Sequence, residues 1–227
     1  MKIQFQLNSR NGYYKADIAI REAILAGWTG RDRAALEKHI EEMAAVGVRR
    51  PPSVPVFYRC SASRLTTAGE IQVVGEDSSG EVEFVLIQAE GNLWVGTGSD
   101  QTDRKVEAYG ITVSKQMCDK PMAPELWSYE EIAPHWDELV LRAWAVRDGE
   151  RELYQESTVT AMMAPAALIR EYTGSDALPE GSAMFSGTLP AIGGLRPAQR
   201  FEFELEDPIL GRSLRHSYAI QTLPIAG

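Results

Sequence analysis

Glu81 and Glu83 stand two residues apart in GEVEFVLI, and Asp100 follows at the end of LWVGTGSD. If the first segment is a strand, both glutamates leave it on one face, ~7 Å apart, while Val82 and Phe84 turn to the other. Two carboxylates so placed repel, and one tends to keep its proton unless a cation takes both. Mg²⁺ or Mn²⁺, with Ca²⁺ as a further candidate, accepts hard oxygens of this kind. A hairpin between the two segments would return Asp100 to the glutamates and complete three oxygen ligands, with positions left for water and substrate. The same residues also suit ordinary roles. E-x-E fits the solvated face of an antiparallel strand, and Asp100 and Asp103 fit turns in which each bonds its own backbone.

The surrounding pattern predicts the elements that must hold these residues. Residues 2 to 6 alternate as a strand, NSRNG reads as a turn, and DIAI as a second strand. Helix formers run from Arg31 to Val46, with Thr29 and Asp32 resembling a capping box and Gly47 at the C-cap. Leu36, Ile40, Met43 and Ala44 make one apolar stripe, and His39 falls at its edge, three residues from Glu42. After the proline-rich RRPPSVP, short strands are expected in VFYRCSAS and IQVVG. EVEFVLIQ and LWVGTGS form a hairpin about a Gly-Asn turn, and residues 105 to 113 are expected to continue the sheet. Later come a short acidic helix start at SYEEI, strands LVLRAWAV and ELYQEST about a DGE turn, and a helix over APAALIREY. A Gly-rich loop and two or three alternating strands close the sequence. The expectation is a single mainly β (α+β) domain over 1–227, with N-terminal strands and a helix in 1–50 and a β core in 51–227.

Composition narrows the function classes. A net charge of -9 without a basic stripe argues against nucleic acid. An anionic substrate would need a metal ion or focused Lys and Arg to reverse the local field. Cys60 and Cys118 lack CxxC spacing, so no disulfide framework or thiolate site is expected. No apolar run suggests a signal peptide or a membrane span, so a cytoplasmic protein away from membranes is expected.

Five segments, taken in order, resemble the fumarylacetoacetate hydrolase superfamily over roughly residues 28 to 220: GRDRAALEKHIEEM, PVFYRCSASRLTTAGEIQVV, GEVEFVLI, SDQTDR with VSKQMCDKPMAP, and SGTLPAIGGLRPAQRFEFEL. The pattern is most similar to a bacterial branch of that superfamily. The resemblance implies a β-roll or sandwich with a few peripheral helices, and a homodimer or higher homo-oligomer. By position, Glu81, Glu83 and Asp100 match its metal ligands. Arg104 and Thr188, with Gly187 beside it, match groups that hold a substrate carboxylate. Lys115 matches the active-site lysine, and His39 with Glu42 matches the pair that activates water in hydrolytic members. By residue type alone, His39 and Glu42 also fit a surface pair, Lys115 a solvated lysine, and Gly187 and Gly193 turn glycines. Four departures stand out: Tyr58-Arg59 replaces the family's Lys-Pro, the loop between the E-x-E strand and Asp100 is shorter, QMCD follows Lys115 where SFD is common, and the proline of GTLPAIGG is shifted by one.

The resemblance implies a divalent-metal-dependent hydrolase of a small acylpyruvate-like 2-oxo or diketo acid. Glu42 would orient His39, which takes a proton from water; the hydroxide attacks the distal carbonyl, and the leaving enolate is held by metal and Lys115. A lyase, decarboxylase, hydratase or isomerase on the same metal site is the alternative. A non-catalytic binder of a small acid is the third.

Overall fold

The computed structural model describes residues 1–10, 12–45 and 50–226; of these, the side chains of residues 39 and 42–45 lie outside the description. Two sheets carry most of the chain. The larger has eight strands in the order Gly12–Ala19, Lys2–Ser9, Glu125–Ser128, Asn92–Ser99, Val82–Ala89, Ser182–Phe185, Glu22–Gly27 and Val56–Cys60. The second has five, in the order Glu150–Thr158, Val140–Arg147, Arg200–Asp207, Arg212–Leu223 and Glu70–Val74. The mainly β, α+β class expected from the sequence is the one observed. Among the described residues, no helix is long and apolar enough to cross a membrane.

Strand Val82–Ala89 is central, with buried side chains on both faces. Val82, Phe84 and Leu86 face a core shared with Ala143, Phe201, Phe203 and Leu205 of the second sheet. Val85 and Ile87 face a second core with Phe5, Leu7, Leu25 and Phe185. Fully burying an aliphatic or aromatic side chain of this size contributes about 1.5–3 kcal/mol. The strand's position is therefore fixed from both sides, and the alternation that sorts Val82 and Phe84 to one core sends Glu83 to the other face.

The hairpin register sets the position of Asp100. Val82 pairs with Ser99 and Glu83 with Gly98, so the next residue lies opposite Glu81, where the Asp100 N–H donates to the Glu81 carbonyl at 2.9 Å. The turn is Glu90-Gly91 rather than the expected Gly91-Asn92: both residues have positive φ, 53° and 73°, and Ala89 pairs with Asn92. Such a two-residue turn matches the right-handed twist of the strands. Gly98 admits close packing on its other side, since a Cβ there would sit 2.8 Å from the Phe185 ring and 3.0 Å from the Pro121 carbonyl.

Three other expectations are corrected. Residues 105 to 113 do not continue the sheet. Asp103 accepts the Val106 N–H at 2.8 Å as an N-cap, opening helix Arg104–Glu107, and Ile111–Met117 forms a second helix. Thr29 takes no part in a capping box; Asp32 accepts the N–H groups of Ala34 and Ala35 to start helix Arg33–Ala45, while Thr29 Oγ1 donates to the Ser186 carbonyl at 2.7 Å. Strand Glu22–Gly27 was not expected. Its run AILA is buried throughout, so it has no alternation to reveal it. The cap expected at Gly47 lies outside the described residues.

Candidate metal centre

At the open end of the hairpin, one carboxylate oxygen from each of Glu81, Glu83 and Asp100 lies within 4.8 Å of the others. Glu83 and Asp100 are buried and Glu81 is partly so. Strand alternation delivers the two glutamates and hairpin register delivers Asp100, so local backbone rules place all three. Their donor set, three hard oxygens converging at short range, fits a divalent cation such as Mg²⁺ or Mn²⁺.

Three cations surround the triad. Lys115 Nζ, from helix Ile111–Met117, donates to an Asp100 carboxylate oxygen and lies 3.4 Å from Glu81 Oε2. Lys120 Nζ lies 3.2 Å from Asp100 Oδ1. Arg104 bridges Glu81 Oε1 at 3.1 Å and Glu107 Oε2 at 3.0 Å, and its Nε donates to Ser79 Oγ at 2.7 Å. The helix that replaces the expected strand thus presents Lys115 to the carboxylates.

The environment separates the acids. Burial pushes the Glu83 carboxyl well above its ordinary value, and the Asp100 charge adds to that, while Lys115 and the Gly187 N–H pull the other way. Burial also acts to raise Asp100, but Lys115 and Lys120 outweigh it and hold that carboxyl below its ordinary value. Lys115 itself is kept charged: burial works against the ammonium, but Asp100, Glu81 and Glu83 raise it further. Burial thus favours a proton on Glu83 and the two lysines favour a charge on Asp100; a divalent cation would favour the charged form of both.

The Gly187 N–H donates to Glu83 Oε2 at 2.8 Å. Gly187 has φ 87°, and a Cβ there would overlap Thr29 Oγ1. Glycine is required on both counts, and Thr29 acts as the buttress of this loop. Thr188 Oγ1 donates to the Val82 carbonyl at 2.9 Å and accepts from Gln155 Nε2 at 2.9 Å. Glu81, Glu83, Asp100, Arg104, Lys115 and Gly187 are thus brought together, with Thr188 bonded to the backbone between the two glutamates. His39 and Glu42 lie on helix Arg33–Ala45, and their side chains fall outside the described residues.

Two buried residues of this region were absent from the expected set. Gln155 Oε1 accepts the Val82 N–H at 2.9 Å, tying the glutamate strand to the Thr188 loop. A bulge between Ala143 and Trp144 shifts the register, so adjacent Tyr154 and Gln155 are both buried and period-two reading misplaces the glutamine. Lys120 is the other. Nothing in MCDKPM marks a lysine that ends fully buried, because its partners come from the folds of the chain on either side.

Solved structures share this architecture. The yeast protein ynq8, a fumarylacetoacetate hydrolase family protein, is 18% identical with TM-score 0.64, over 91% of this chain and 95% of that one. A 2-keto-3-deoxy-D-arabinonate dehydratase complexed with magnesium and 2,5-dioxopentanoate is 18% identical with TM-score 0.62, over 94% and 78%. The 4-oxalocrotonate decarboxylase from Pseudomonas putida G7, complexed with calcium and acetate, is 15% identical with TM-score 0.54, over 88% and 77%. The fold is that of the fumarylacetoacetate hydrolase superfamily, as the sequence segments implied. The chain belongs to the family described as protein of unknown function (DUF2848), whose pattern matches residues 26–218. No curated protein matches the sequence.

Proposed function

We propose that this chain is a divalent-metal-dependent enzyme acting on a small 2-oxo acid, and that its reaction is hydrolysis of a carbon–carbon bond in an acylpyruvate-like substrate. The observation that carries the reading is the convergence of Glu81, Glu83 and Asp100 within 4.8 Å, with the Lys115 ammonium against two of them. These three residues would hold Mg²⁺ or Mn²⁺, which when bound polarises a carbonyl and offsets negative charge developing on it. The magnesium with the dehydratase and the calcium with the decarboxylase of the same fold support that assignment.

The chain's own groups supply the rest. Arg104, kept charged between Glu81 and Glu107, presents a guanidinium suited to a substrate carboxylate. Lys115 offers a held positive charge to an enolate oxygen of the departing fragment. The Gly187 N–H fixes Glu83, and Thr188 fixes the strand between the glutamates. His39 and Glu42, three residues apart on one helix, are assigned to water: Glu42 orients the imidazole, and His39 removes the proton. The dehydratase and decarboxylase of like fold favour a second reading, in which the same centre serves a lyase, hydratase or isomerase.

The test is turnover of an acylpyruvate panel with Mg²⁺ or Mn²⁺, followed by NMR of the products. Pyruvate plus the matching carboxylic acid is the expected outcome. Loss of carbon dioxide or water selects the lyase reading, which would also tolerate His39→Ala better than a hydrolase can. Binding of these acids with no product from any of them contradicts an enzyme and leaves a small-acid binding protein.

A further inference from the structure

Lys120 is one of six lysines in the chain and has no exposed surface. Its ammonium donates to the carbonyls of Gln101 at 2.7 Å and Cys118 at 3.0 Å and to that of Lys115, and lies 3.2 Å from Asp100 Oδ1. Three protons therefore meet three carbonyls and a carboxylate, so no donor is left for solvent or substrate. The carbonyls are informative. That of Lys115 is in the last turn of helix Ile111–Met117 and that of Cys118 just beyond it, where a helix leaves carbonyls without internal partners. Gln101 is the residue after Asp100. One buried cation thus joins the end of the lysine helix to both the backbone and the carboxylate at the Asp100 corner.

The two lysines on Asp100 differ. The Lys115 ammonium donates to the side-chain carboxylates of Glu81 and Asp100, the ones a divalent cation would claim. Lys120 rests mainly on backbone that a cation would not claim. Asp100 Oδ1 is on the fixed side, and the other oxygen is on the Lys115 side, toward Glu81. Three ionised carboxylates and a dication would leave one negative charge in excess, unfavourable for an anionic acid; Lys120 cancels it wherever the Lys115 side chain turns.

We propose that Lys120 is a positioning residue of this centre: its ammonium locks the Asp100 corner to the end of the Lys115 helix, so that the three carboxylates stay converged when a cation displaces Lys115. The proposal rests on the metal reading above. It predicts opposite responses from neighbouring lysines, since Lys115 competes with the cation and Lys120 prepares its place.

Calorimetric Mn²⁺ titrations of the full-length protein and of Lys120→Met and Lys115→Met test this, with melting temperatures of the metal-free forms recorded alongside. Lys120→Met is expected to weaken Mn²⁺ at least tenfold, and Lys115→Met to leave it equal or tighter. A folded Lys120→Met that binds Mn²⁺ within threefold of the unmodified protein overturns the proposal. Failure of the unmodified protein to bind Mn²⁺ overturns the metal reading instead. If Lys120→Met does not fold, ¹⁵N-lysine NMR of the unmodified protein takes its place: the Lys120 ammonium should exchange slowly with and without Mg²⁺, while the Lys115 signal shifts on addition. A Lys120 ammonium that exchanges like a surface lysine, or whose signal moves as far as that of Lys115, overturns it.

Discussion

The carboxylates at the open end of the hairpin and those on the outer face of the five-stranded sheet meet similar cations, in different surroundings. On the sheet, Arg142 reaches Glu156 at 2.6 Å, Glu204 at 3.0 Å and Glu206; Arg215 reaches Glu204 at 2.7 Å; and Arg151 reaches Glu202 at 2.8 Å while lying over the Trp144 ring. The Arg142 and Arg215 pairs sit across neighbouring antiparallel strands, which is how exposed sheet faces are matched, while Arg151 reaches Glu202 across the intervening strand over Trp144. Arg215 is 72% exposed in its side chain, whereas Asp100 is 1% exposed. Solvent also reaches Glu156 on the sheet, 43% exposed in its side chain, although Glu204 beneath the arginines is buried. At the hairpin end solvent is excluded, so burial pushes the Glu83 carboxyl up while Lys115 and Lys120 hold that of Asp100 below its ordinary value. The first region matches charges at a solvated surface; the second holds three carboxylates and their cations together away from water.

Substitutions can break or sharpen that contrast. Asp100→Ala leaves Lys115 and Lys120 buried without their carboxylate, and urea unfolding should show a loss of about 3–5 kcal/mol. Gly187→Ala forces a Cβ onto Thr29 at positive φ and displaces the N–H on Glu83; the same measurement should show about 1–3 kcal/mol. Glu156→Gln removes one of the three acids around Arg142 in a half-exposed position and should cost under about 1 kcal/mol. A loss from Glu156→Gln equal to that from Asp100→Ala would erase the distinction.

The smallest effect concerns pH. His216, on the outer sheet against the Phe203 ring, is pushed below its ordinary value by burial, partly offset by its bond to the Ala68 carbonyl. Its folded value is below the unfolded one, so the unfolded chain takes up the proton first as pH falls. Stability should therefore be complete above about pH 6.5 and decline as pH drops through that value. Denaturation midpoints between pH 7.5 and pH 5.5 should show this slope, and His216→Gln should flatten it slightly.

Much of the centre was readable because it depends on short-range rules. Alternation placed Glu81 and Glu83 together, and hairpin register carried Asp100 back to them. What escaped depended on distant partners or local breaks in period. Strand Glu22–Gly27 carries the unbroken apolar run AILA, Arg104–Glu107 became helical through an Asp103 cap with Ile111–Met117 following as a second helix, and Gln155 was turned inward by a bulge. The order of motifs revealed the fold family more fully than any single motif, since E-x-E alone is shared with ordinary solvated strands. Lys120 shows the limit most sharply: its burial depends on carbonyls from both sides of a turn and on an acid twenty residues earlier.

The most direct test is Mn²⁺ binding to the metal-free protein beside Glu83→Gln and Asp100→Asn, both near-isosteric. The unmodified chain should bind one ion per triad, and each variant should lose at least tenfold in affinity while keeping its secondary structure. Equal affinity in all three proteins, or none in the unmodified one, would contradict the assignment of Glu81, Glu83 and Asp100 as a metal centre.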